Sequence, residues 1–185
     1  MLAYQFFALR EVTLTDLRFP FTARWYSERG VVKLSKRYGS ELVRRDGFAH
    51  VRREELFDVA MSPDQTGAVA GQLQLDLPAQ GGNSEPDWCA LAAAYENGKG
   101  GLGFVLAQNM FLLPEYPWTI SALASRLAIK PRMLQMSLFQ ECYSFDAVLR
   151  RCRRLNALLQ LGGAGCVFEI VAGPVCAPDN IVARH

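Results

Sequence analysis

"ISALASRLAIKPRMLQMSLFQE", residues 120–141, decides how the chain is read. Leu123 and Leu127 stand one helical turn apart, as do Leu134 and Leu138. The period breaks once, at Ala128-Ile129-Lys130-Pro131. Pro131 cannot continue a helix, but it suits the first turn of a new one. Thr119, just upstream, is an N-cap residue type whose hydroxyl can accept a free amide. The stretch therefore predicts two short helices joined by a four-residue turn, the second from about Pro131 to Gln140. Ala124 is small enough for the second helix to approach. Leu127, Ile129, Leu134 and Leu138 lock the crossing. This is the pattern of a helix-turn-helix unit. The outward face of its second helix carries Arg132, Gln135, Met136 and Phe139. Arg and Gln can make paired hydrogen bonds to purine edges in a major groove.

Working outward, Ser144 is placed to cap a longer helix. Phe145, Val148, Leu149, Cys152, Leu155 and Leu159 form its apolar stripe, flanked by Arg150, Arg151, Arg153 and Arg154, and Gly162-Gly163 ends it. Upstream, "DWCALAAAYEN" is helical by propensity, with Ser84 before Glu85-Pro86-Asp87 as its start. "LGFVLAQNMFLL", residues 102–113, is a further helix closed by Pro114 and Pro117. The first 80 residues differ in character. "LAYQFFAL", "PFTARWYS", "VVKLSKRY", "ELFDVAM" and "VAGQLQLDLP" read as strands, the last with Leu73, Leu75 and Leu77 on one face. Residues 52–57 could instead start a short helix, and "RDGF" at 45–48 is a turn. "CVFEIV" could be a strand or part of a tail.

The expected fold class is α+β, an N-terminal β-rich domain followed by a helical helix-turn-helix domain. The expected boundaries are a β-rich domain at 1–80, a linker at 81–85, the helical domain at 86–161 and a C-terminal tail at 162–185.

The chain has 185 residues, half of them hydrophobic, so it can bury a core. Charge is unevenly spread: residues 1–85 carry eleven basic and eleven acidic side chains, residues 103–185 eight and five. A polyanion would meet the C-terminal half first. Five cysteines without a C-x-x-C and two distant histidines predict reduced thiols and no metal site. The N-terminal run does not read as a signal peptide, and no apolar stretch is long enough to span a membrane, so the cytoplasm is expected. "NGKGGLG" lacks the order of a phosphate loop, and no G-x-S-x-G or supported carboxylate pair occurs. No enzyme and no cofactor are expected. Arg44, Arg45, Arg52 and Arg53 bracket the turn at 46–48. If the flanking segments pair, they could hold an anionic ligand; the plainer reading is that Asp46, Glu54 and Glu55 neutralise them.

Residues 118–161 resemble the first helix-turn-helix of the AraC-type transcription regulators. The resemblance is carried by Leu123-Ala124, Pro131, Leu134-Gln135, Ser144-Phe145, Arg153 and Ala157. It implies a DNA-binding regulator in which Arg132, Gln135 and Met136 face bases. By the same resemblance Lys130, Arg150, Arg151, Arg153 and Arg154 would serve the DNA backbone. The implied partners are double-stranded DNA, a second copy of the chain or a small-molecule effector met by the β-rich domain, and a regulatory protein. The departures are physical. Ala128 stands where the family's turn carries Gly, and it costs roughly 1 kcal/mol if that residue needs positive φ. Lys130 replaces a Ser or Thr cap. A second helix-turn-helix does not follow the long helix. The alternative function is a protein-interaction module, an antagonist or adaptor of a regulator, that has lost autonomous DNA binding.

Overall fold

The computed structural model describes residues 1–77, 84–98, 101–162 and 166–170. Eight strands come first: β1 (Leu2–Ala8), β2 (Val12–Leu17), β3 (Ala23–Arg29), β4 (Val31–Lys36), β5 (Gly39–Val43), β6 (Phe48–Val51), β7 (Phe57–Ser62) and β8 (Val69–Leu75). Five helices follow: α1 (Trp88–Glu96), α2 (Leu102–Leu112), α3 (Ile120–Arg126), α4 (Pro131–Gln140) and α5 (Phe145–Leu161). One more strand, β9 (Cys166–Ile170), follows among the described residues. The architecture is α+β, with a β-rich N-terminal region followed by helices.

The strands make two sheets, β6-β3-β8-β1-β9 and β2-β7-β4-β5. Every strand pair is antiparallel. Alternation along the strands buries one face of each, as a two-sheet core requires. Phe6, Trp25, Leu73, Leu34, Val59 and Met61 are almost wholly buried. Aromatic edges meet in this layer, with Trp25 against Phe6 at 5.5 Å and against Phe57 at 6.5 Å between ring centroids.

Several expectations are refined. "CVFEIV" is a strand: β9 pairs along β1, with Phe168 opposite Phe6. Residues 52–57 do not start a helix; they turn at Glu54, with φ +61°, and enter β7. Helix α1 is capped by Asp87, whose carboxylate accepts the Ala90 amide at 2.9 Å; Ser84 lies too far upstream. Thr119 caps α3 as read, accepting from the Ala122 amide at 3.1 Å. Ser144 holds the N-cap position of α5, but its hydroxyl takes no amide. Residues 81–83 of the linker and 163–165 and 171–185 of the tail lie outside the described residues.

The β-rich and helical regions share one apolar core. Phe111 of α2 packs edge-on against Phe19 and Phe21, with centroids 6.2 and 5.6 Å away. Burying a Phe, Leu or Ile side chain contributes about 1.5–3 kcal/mol, so this seam is a stable one. Cys152 sits inside it as a small core residue, its thiol donating to the Ala107 carbonyl at 3.3 Å. Burial pushes that thiol up to about 12. Among the described residues, no helix is long and apolar enough to cross a membrane.

Candidate nucleic-acid interface

Helices α3 and α4 form the tight unit that residues 120–141 predict. Leu123, Ala124, Leu134 and Leu138 are each no more than 1% exposed. The turn between the helices is a Schellman motif. The Ile129 amide donates to the Ala124 carbonyl at 3.0 Å, and the Ala128 amide to Ser125 at 3.1 Å. This closure puts Ala128 in the left-handed region, at φ +54°. The end of α4 repeats the device. Tyr143 donates to Leu138 at 2.8 Å and Cys142 to Phe139 at 2.9 Å, with Cys142 at φ +61°. Neither motif uses the glycine that such positions favour.

Leu134 and Leu138 are the two buried residues of α4, so its opposite face looks outward. Arg132, Gln135 and Met136 are all exposed. Phe139 is 81% exposed and Met133 51%. A groove of about 650 Å³ runs beside this face, lined by Ile120, Arg132, Gln135, Met136, Phe139 and Phe145 among others. Lys130 begins α4 with no side-chain hydrogen bond to its amides, and Pro131 supplies no N–H. The entrance to the helix therefore presents a cation and uncapped backbone donors to solvent.

The four α5 arginines are not equivalent. Arg150 is exposed. Arg153 and Arg154 are also exposed, but each spends one N–H on the chain: Arg153 Nε donates to Pro114 O, and Arg154 Nη2 to Thr15 O, both at 3.2 Å. Arg150, Arg151 and Arg154 border a cleft of about 620 Å³ between β2 and α5. Arg151 departs from the expected phosphate role. Its guanidinium grips the Glu54 carboxylate through two bonds, at 2.8 and 2.9 Å. With its side chain 17% exposed, it faces the β-rich region and not a free surface.

The segments around the 46–48 turn do not pair with each other. β5 pairs with β4 and β6 pairs with β3, so the segments flanking the turn are not ladder partners. Arg44 and Arg45 precede β6 while Arg52 and Arg53 follow it, separated by four strand residues, roughly 13 Å. Arg45 lies 4.0 Å from Asp46, and Arg53 stacks over the Phe104 ring at 4.5 Å. Glu55 accepts the Arg52 amide. Glu54 serves Arg18 and Arg151, partners distant in sequence.

Two residues of the site escaped sequence reasoning. Glu141 accepts the Leu102 and Gly103 amides at 3.2 and 2.9 Å, and so caps α2 from the end of α4. Tyr143 donates its hydroxyl to Glu54 at 2.9 Å. Burial first, then the Glu54 carboxylate, pushes its phenol up to about 12. No local pattern announces either partner, since the contacts span 38 to 89 positions.

No family model matches the chain, and no curated protein matches it. Solved structures of ToxT from Vibrio cholerae superpose loosely. The wild-type protein of strain SCE256 with an unsaturated fatty acid bound gives a TM-score of 0.44 at 8% identity, over 87% of this chain and 81% of that one. ToxT of O395 gives 0.45 at 10% identity, over 87% of this chain and 83% of that one. At this degree of likeness, function has to be argued from the chain's own side chains.

Proposed function

We propose that the protein is a DNA-binding transcription regulator, resembling the AraC type, that presents a single helix-turn-helix. The observation that carries this reading is the division of α4. Leu134 and Leu138 are buried, while Arg132, Gln135 and Met136 stand on the exposed side. A helix held by two leucines, with a guanidinium and a carboxamide outward, has the form needed to enter a major groove. In this reading Arg132 and Gln135 contact bases and Met136 packs against a base edge. Lys130 and Arg150 serve phosphates, with Arg153 and Arg154 adding the N–H groups they keep free. A second copy of the chain supplies the other half-site, and the β-rich region hosts dimerisation or a small effector, as the family resemblance implies.

The test is duplex binding at several salt concentrations, with wild type beside an Arg132→Ala, Gln135→Ala double variant. The variant should lose sequence discrimination, each bidentate contact being worth about 1–3 kcal/mol. Replacing Lys130 should flatten the dependence of log affinity on log salt by about one unit. Equal affinity and equal selectivity in wild type and double variant would refute base reading.

A second reading, an adaptor or antagonist that meets a protein through the same helix, is favoured by the exposure of Met133, Met136 and Phe139. It predicts that Met136→Asp with Phe139→Asp abolishes partner capture, while Arg132→Ala leaves it intact.

A further inference from the structure

Glu54 lies in the turn between β6 and β7, yet its carboxylate serves the helical region. It accepts two bonds from Arg151 and one from the Tyr143 hydroxyl, and it pairs with Arg18 at 2.9 Å. Its side chain is 14% exposed. The backbone of the same residue is fixed as well: its amide donates to the Phe19 carbonyl at 2.8 Å, and its carbonyl accepts from Arg18 Nε at 3.0 Å. A φ of +61° is a costly place for an L-residue, and it persists because these bonds surround it.

Tyr143 is more than one of four partners. Its amide closes the Schellman motif that ends α4. Its ring packs against α2 at Gly103, where a Cβ would collide with it. α4 itself is thinly anchored, with two of its ten residues buried. A helix fastened at so few points takes its angle from whatever fixes its ends. At the C-terminal end two carboxylates do this: Glu141 accepts the Leu102 and Gly103 amides of α2, and Glu54, supplied by the β-rich region, holds Tyr143.

We propose that Glu54 is a positioning residue for the DNA-reading helix: through Tyr143 and Arg151 it sets the pose of α4 and conveys changes in the β-rich region to the reading face. The part that concerns DNA rests on the function proposed above. Bidentate Arg–carboxylate pairing gives the joint angular definition, which a single point charge would lack.

The experiment uses the full chain with Glu54→Ala, Glu54→Gln, Tyr143→Phe and the Glu54→Ala, Tyr143→Phe double variant, each checked for folding by circular dichroism. Two readouts are taken: affinity for the duplex that wild type selects, and amide hydrogen exchange. Glu54→Ala and Tyr143→Phe should each weaken duplex binding at least about tenfold, as loss of a bond to a charged group allows. The double variant should bind no worse than the weaker single, and Glu54→Gln, which keeps one acceptor oxygen for Tyr143 but loses the bidentate grip of Arg151, should recover only part of the loss. Exchange should rise at residues 134–143 while strands β4 and β7 stay protected. Unchanged affinity with a uniform rise in exchange would reduce Glu54 to a general brace and overturn the proposal. Should wild type bind no duplex, the DNA reading falls, and the exchange pattern alone decides: a selective rise at α4 upholds the positioning role, and any other pattern removes it. Tyr143→Phe, which deletes one hydroxyl, carries the test if Glu54→Ala does not fold.

Discussion

Replacing Ala128 with glycine should stabilise the protein. Ala128 occupies the left-handed region at φ +54° because the Schellman closure of α3 leaves no alternative. An L-residue there carries about 1–2 kcal/mol of clash between its Cβ and the following carbonyl. Its methyl is exposed, so deleting it forfeits no buried area. Against the gain stands the larger unfolded-state freedom of glycine, about 0.5–1 kcal/mol. Taking the middle of each range leaves Ala128→Gly stabilising by about 0.75 kcal/mol. For a chain of this length each kcal/mol moves the melting midpoint by about 2–4 °C, so a rise of about 1.5–3 °C is expected. Denaturant unfolding should show the midpoint moving up with its slope unchanged, because no surface is redistributed. Ala128→Val should move it down, since a β-branched residue tolerates this conformation worse than alanine does. A midpoint for Ala128→Gly that stays put or falls would refute the left-handed assignment, and with it the turn geometry that aims α4.

Two further outcomes follow from the titrating groups and the thiols. Tyr143 has its phenol raised from 10.0 to about 12 in the folded state, so above pH 10 the folded chain holds a proton that the unfolded chain releases. Stability should therefore fall as pH rises from about 10 towards 12, and Tyr143→Phe should lose that part of the decline in pH-dependent denaturation. Cys89 and Cys142 are exposed, whereas Cys152 is buried with its thiol pushed up to about 12. Brief alkylation read by mass spectrometry should label the first two and spare Cys152 until denaturant is added; labelling of Cys152 at the native rate would contradict its place in the core.

The helix-turn-helix was legible because each of its signals is local. Thr119 caps, the leucines repeat at one turn and Pro131 restarts the helix, all between positions 119 and 138. Even the cost at Ala128 could be stated from sequence as a condition. The shorter strands were harder. β5 reads "GSELV" and buries Val43 alone, so it shows no alternation to recognise. Convergence of the arginines at 44–53 was conditional on the segments flanking the 46–48 turn pairing; β6 instead found its partner in β3, which sequence proximity does not favour. Glu54 was visible only as a neutralising neighbour. Its true partner, Arg151, lies 97 positions away, and Arg151 was accordingly read as a phosphate ligand. Pairing at such separation is settled by tertiary packing, which composition and period do not encode.

The return of β9 to β1 has a mechanical consequence. All five helices lie between β8 and β9, two strands that flank β1 on either side. The helical region is thus an insertion in a sheet, tethered at its entry and at its exit, and not a bead on one string. A body held at two points can tilt about the line joining them but cannot swing freely. Removing β9 would cut the exit tether and bare the β1 edge that it covers. The Phe111 seam and the Glu54 carboxylate add fixed points between the same two bodies, so a displacement in the sandwich meets the helices at several places at once.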